Sequence, residues 1–117
     1  MVVVWDEDPD QGDALVLAFA IAYRAVQIDA ACELRALASG VQLHLTVARI
    51  RNDVRDHVAT LSWLHNCQPS CRILAVVDTR EQGAIVAASN AIDQVLLAPV
   101  EPADVVRAAG RARWRAA

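Results

Sequence analysis

At 117 residues the chain has the usual length of one domain, and a core burying roughly two-thirds of its unfolded surface is within reach. Its 56% hydrophobic content, rich in Ala and Val with only 4% aromatic residues, excludes a disordered tail and fits helices packed on a Val/Leu/Ile sheet. A formal net charge of -3 excludes a general attraction to nucleic acid or an anionic membrane, although Arg107, Arg111, Arg113 and Arg115 make the last helix locally basic.

Val2-Val3-Val4-Trp5 is a short continuous apolar run that stops at Asp6-Glu7-Asp8-Pro9, the pattern of a buried parallel strand ending in a polar loop. No basic segment precedes it, which argues against a secretory signal and for the cytoplasm. Pro9 suits a first helical position and Asp8 the N-cap before it, so a helix is expected from there to about Ala25. Its apolar stretch, Ala14 to Tyr23, is far shorter than the roughly 20 residues that cross a bilayer. Leu15, Phe19 and Ala22 form the expected inner stripe, while Leu17 and Ile21 fall on the far side, so this helix is apolar almost all round.

Val26 to Ala31 is expected as a second strand, Cys32 to Ser39 as a short helix, and Gly40 as a break. Strand three is expected over Val41 to Thr46, although its alternation with Gln42, His44 and Thr46 is unlike an internal parallel strand, which is apolar on both faces. Val54, Val58, Leu61 and Leu64 recur at helical spacing between about 52 and 66. Ile73 to Val77 is the clearest buried strand and ends at Asp78-Thr79. Helix four covers about 81–90, Val95-Leu96-Leu97 supplies a fifth strand, and Glu101-Pro102 opens a last helix with Val105, Val106, Ala109 and Ala112 inside. Five strand–helix units with right-handed crossovers predict an α/β fold: a three-layer, doubly wound (βα)5 parallel sheet within one domain, residues 1–117, its ligand site at the carboxyl ends of the strands.

Three cysteines, an odd number without framework spacing, read as reduced thiols. His57, His65, Cys67 and Cys71 are not spaced as a zinc set and read as solvent-facing histidines and ordinary thiols.

The order of elements, the acidic loop after Trp5 and the segment Ala91-Ile92-Asp93-Gln94-Val95-Leu96-Leu97-Ala98-Pro99 resemble the bacterial response-regulator receiver (CheY-like) family over nearly the whole chain. The resemblance implies a flavodoxin/CheY-like fold with strand order 2-1-3-4-5. It also implies a pocket in which an acidic pair holds Mg²⁺, an aspartate ending strand three accepts a phosphoryl group, a Ser or Thr follows strand four, and a Lys precedes the proline. Asp6 and Glu7 match the acidic pair and are the candidate metal ligands; Asp78 could supply a third. The acceptor position falls at Thr46, or at Leu45 if the strand shifts by one residue. The hydroxyl position falls at Asp78 or Thr79, the Lys position at Ala98, and the switch aromatic is replaced by Val95. All eleven basic residues are Arg, so no Lys exists to take that place.

Without a nucleophilic carboxylate there is nothing to phosphorylate. The expectation is therefore a pseudo-receiver without enzymatic activity or certain cofactor, a phosphorylation-independent module of a bacterial two-component signalling system that binds a protein partner or a second copy of itself. Leu17 and Ile21 of helix one, then Ile85, Val86 and Val95, are its expected interface; nucleic acid is expected only through another domain, and no membrane is involved. Two alternatives stay open: a receiver phosphorylated on an unusual acceptor, and a small flavodoxin-like ligand-binding domain.

Overall fold

The computed structural model describes residues 1–111, Arg111 by its backbone alone; the expected roles of Ala112, Arg113 and Arg115 lie outside the described residues. Five strands form one parallel sheet in the order β2-β1-β3-β4-β5, as the family resemblance implies. β1 (Val2–Trp5) is an internal strand, hydrogen-bonded to β2 (Ala25–Ile28) on one side and β3 (Leu45–Ile50) on the other. All four β1 residues are buried because both faces of a central parallel strand are covered by crossover helices. β4 (Arg72–Val77) and β5 (Gln94–Leu97) extend the sheet beyond β3.

The period of two along each strand divides the core. Val2, Val4, Leu45, Val47, Leu74 and Val76 point to one face, where Leu15 and Phe19 of α1 (Pro9–Ala20) and Val105 and Ala108 of α5 (Pro102–Arg111) cover them. Val3, Trp5, Ala48, Ile50, Ile73, Ala75 and Val77 point to the other, under α2 (Ala31–Ala38), α3 (Val54–Cys67) and α4 (Arg80–Ala87). Among the described residues no helix is long and apolar enough to cross a membrane.

Local chemistry sets the ends of the elements. The Asp8 carboxylate caps α1 by accepting from the backbone N–H groups of Asp10 and Gln11, with Pro9 at the first position. That helix stops at Ala20, earlier than expected: the N–H groups of Ala22 and Tyr23 both turn onto the Phe19 carbonyl, and the Arg24 carbonyl already accepts from Val2 at 2.7 Å. Ala22, expected inside, is exposed as a result. α1 also comes close to β2 at Gly12, where a Cβ would lie 2.1 Å from the Gln27 amide nitrogen; that amide donates to the carbonyls of Asp6 and Asp8.

Strand three differs most from expectation. The segment 41–44 is not strand; the ladder runs from Leu45 to Ile50, with Leu45 opposite Val2 and Arg72, and Ile50 opposite Val77. The segment before it is held instead by Gln68 at the end of α3, whose buried side chain accepts from Leu43 N–H at 2.7 Å and donates to the carbonyls of Ala38 and Val41 at 2.8 Å each. The polar alternation of Gln42 and His44 therefore belongs to a loop.

Other expectations are corrected on the same grounds. Val86 is fully buried under the sheet, where burial of a Val contributes about 1.5–3 kcal/mol to the fold, so it is no interface residue; Val95 is half-buried against the same core. His57, expected to face solvent, is buried: its ring stacks on Trp5 at 4.4 Å and its Nδ1 bonds to the Asp53 carbonyl at 3.1 Å. Asp53 precedes α3 in the left-handed region (φ 51°), a conformation that Asp tolerates better than most residues.

Candidate functional site

The strand order reverses between β2 and β3 on either side of β1, and a parallel α/β sheet opens a crevice at the carboxyl ends beside such a point. Side-chain parity then decides which residues enter it. Continuing β1 past Val2 and Val4 brings Asp6 to the α1/α5 face; β3 after Leu45 and Val47 brings Arg49 and then Arg51; β4 after Leu74 and Val76 brings Asp78. Four charged residues, two of each sign, thus converge at the strand ends.

They form two ion pairs. Arg51 Nη1 donates to Asp6 Oδ1 at 2.6 Å, and Arg51 Nη2 donates to Gln11 Oε1 of α1 at 2.9 Å. Arg49 Nη2 donates to Asp78 Oδ1 at 2.6 Å. Asp6 is only 1% exposed, so its carboxylate has exchanged water for the guanidinium and the backbone N–H of Asp8, which bonds to the same Oδ1 at 2.9 Å. Its Oδ2 and Arg49 Nε are buried without a partner. The outer pair is wetter, with the Asp78 side chain 39% exposed. Gln82 of α4 ties the two loops together: its Oε1 accepts from the N–H groups of Asp78 and Thr79, and its Nε2 donates to the Arg51 carbonyl at 2.8 Å.

Beside these pairs lies a cavity of about 610 Å³, lined by Leu15 of α1, Val76, Val105 of α5 and the cis Ala98–Pro99 segment, with Asp10 and Glu101 in its wall. Its size is that of a small-molecule pocket.

The residues singled out from sequence are placed as follows. Asp6 lies in this pocket, whereas Glu7 beside it is exposed. Thr46 is the second residue of β3, opposite Val3 and Ile73, and its Oγ1 lies 3.6 Å from Cys71 Sγ on the face away from the pocket. The expected acceptor position is corrected accordingly: the end of β3 belongs to Arg49, Ile50 and Arg51, and β3 carries no carboxylate. Leu45 has the right parity but stands at the opposite end of the strand. Thr79 is the N-cap of α4, in a capping box with Gln82, and Asp78 is held by Arg49. Ala98 lines the cavity and its N–H donates to the Val77 carbonyl at 2.8 Å.

A divalent ion of the kind the resemblance implies takes several carboxylate oxygens. These residues do not fit one: among the described residues no three His, Cys, Asp or Glu side chains come together, and Asp6 and Asp78 each already hold a guanidinium. The two arginines are what sequence reasoning missed. Their signal was present in the apolar Val47-Ala48 that continues the strand beyond Thr46 and carries its end to Arg49–Arg51.

No protein-family model matches the chain, and no curated protein matches it. Solved structures do match in fold. A response regulator from Thermotoga maritima superposes with a TM-score of 0.81 at 12% identity, over 94% of this chain and 93% of that one. The pilus assembly protein CpaE from Caulobacter crescentus matches with a TM-score of 0.66 at 16% identity, over 93% and 95% of the two chains. An adenylate cyclase from Rhodopirellula baltica matches with a TM-score of 0.81 at 12% identity, over 93% of this chain and 83% of that one. The chain thus has the CheY-like receiver fold.

Proposed function

We propose that this chain is a receiver-fold signalling module that works without phosphorylation, through contact with a protein partner or a second copy of itself in the bacterial cytoplasm, and that it has no catalytic activity of its own. One observation carries the reading. At the strand ends, where a phosphoryl group would have to be accepted, stand the ion pairs Arg51–Asp6 and Arg49–Asp78, with no carboxylate on β3 and no Lys anywhere in the sequence. A guanidinium cannot act as the nucleophile of an aspartyl phosphate. The contact surface is the outer side of α1 and the C-cap that follows it, where Leu17 is 70% and Ile21 90% exposed, with Tyr23 beyond them; Ile85 of α4 offers a smaller second patch.

Incubation with a small phosphodonor and Mg²⁺, followed by intact-mass measurement, is expected to show no added phosphoryl group, and native mass measurement is expected to show a dimer or a partner-bound species. Stoichiometric phosphorylation, or a monomer that recovers no partner, would overturn the proposal.

The cavity supports a second reading, a small-ligand binder. Asp10 and Glu101 in its wall disfavour phosphate-bearing ligands, which weighs against nucleotides and flavin mononucleotide. A rise in melting temperature with any of these would favour this reading over the first.

A further inference from the structure

We infer that the cavity lined by α1 and α5 takes a small uncharged carboxamide, its amide group seated between Asp6 and Arg49 and its apolar body against Leu15, Val76 and Val105. The inference rests on the reading of this cavity as a ligand site and names the ligand class; it does not depend on what binds the outer side of α1.

Two residues in the cavity wall each keep one buried polar atom without a partner, and the two atoms are of opposite kinds: Asp6 Oδ2 accepts a hydrogen bond and Arg49 Nε–H donates one. The strand register sets them side by side. Trp5 pairs with Ala48, so Asp6 and Arg49 are the next residues along two neighbouring strands and share the face of Val4 and Val47. Buried polar groups of a folded protein are paired, and an unpaired one is costly, so a donor and an acceptor left open together call for a ligand that presents their complements. Charge narrows the class. Asp6, Asp10, Asp78 and Glu101 in the wall repel an anion. A cation gains little, because Arg51 already neutralises Asp6 and Arg49 already neutralises Asp78, while Asp10 and Glu101 are exposed and screened by solvent. A neutral group that donates with one atom and accepts with its neighbour remains. A carboxamide does this, its N–H donating to Asp6 Oδ2 and its carbonyl accepting from Arg49 Nε–H. A hydroxyl alone could meet these atoms but would leave the aliphatic wall of Leu15, Val76 and Val105 uncovered, and an apolar body on the amide covers it.

The test is titration of the full chain with benzamide, benzamidine and benzoate, which share one shape and are neutral, cationic and anionic at neutral pH, read as chemical-shift changes of backbone amides. Benzamide should shift the amides of Asp6, Leu15 and Val105 saturably, with an affinity at least about tenfold above that of either charged analogue. Arg49→Lys keeps a cation for Asp78 but has no N–H at the place of Nε, and should weaken benzamide at least about fivefold. Ala14→Leu fills the cavity from the α1 side and should abolish the shifts. A charged analogue that binds as tightly as benzamide overturns the inference, and so do benzamide shifts that survive Ala14→Leu, a folded Arg49→Lys that binds as the native chain does, or silence toward all three compounds. If Arg49→Lys does not fold, the charge series and Ala14→Leu decide. A charged analogue that shifts these amides ends the carboxamide assignment but keeps the cavity a ligand site, whereas silence toward all three, with no nucleotide or flavin raising the melting temperature, ends that reading as well.

Discussion

At the scale of single residues, the two ion pairs differ in how much water they exclude, and their energetics should differ with it. Arg51→Met leaves Asp6 charged and buried, and should cost about 3 kcal/mol. Asp78→Asn opens a pair whose carboxylate is partly solvated, and should cost about 1 kcal/mol or less. Urea denaturation of the two variants checks the order. Cys71 makes a second residue-scale prediction. Burial pushes its thiol up from the ordinary 9.0, against the opposing effect of its hydrogen bond with Thr46. The folded state therefore keeps a proton that the unfolded chain gives up, so this contribution to stability is intact below about pH 9 and lost as the pH rises beyond it. Stability should fall less between about pH 8 and about pH 10 in Cys71→Ala than in the native chain, and a thiol reagent should label the exposed Cys32 and Cys67 before Cys71. Asp6 was legible as a pocket acid from its place after an apolar run. Its partner was not, because nothing local in the sequence links residue 51 to residue 6; only the strand register does.

At the scale of elements, β1, β4 and β5 were legible because each contains a short unbroken apolar run, α1 because of its Asp8–Pro9 start, and α3 because Val54, Val58, Leu61 and Leu64 recur at helical spacing. β3 was displaced because its true span, Leu45–Ile50, contains Thr46 and Arg49, while Val41 to Thr46 imitates a half-buried strand. The loop 41–44 follows a fixed course because Gln68 satisfies its backbone from a distance. Gln68→Ala would strip Leu43 N–H of its acceptor inside the core and leave the carbonyls of Ala38 and Val41 without this donor. The expected cost is about 2–3 kcal/mol, with amide exchange at Leu43 accelerating ahead of that in β1. Equal protection of Leu43 in the variant would show that water replaces the Gln68 amide at no penalty.

At the scale of the whole molecule, the sheet divides the labour between its faces. The α2/α3/α4 face is almost wholly aliphatic and holds the Trp5–His57 stack; the α1/α5 face is aliphatic at its amino end and charged at its carboxyl end. This division sets a test for the outer face of α1. Leu17→Asp and Ile21→Asp alter exposed side chains and should change stability by no more than about 0.5 kcal/mol, while lowering recovery of the partner or dimer at least tenfold, about 1.4 kcal/mol. Unchanged association in both variants would move the interface elsewhere. Finally, the close approach of Gly12 to Gln27 ties two positions into one heritable unit. The space a side chain at 12 would fill is the space the Gln27 amide uses to hold the carbonyls of Asp6 and Asp8, so growth at one site demands shrinkage at the other. Gly12→Ala should lose about 1 kcal/mol while Gln27 remains and less once Gln27→Ser is added, a non-additivity measurable by a double-mutant cycle. In lineages descending from this sequence, residues 12 and 27 are expected to drift together or not at all.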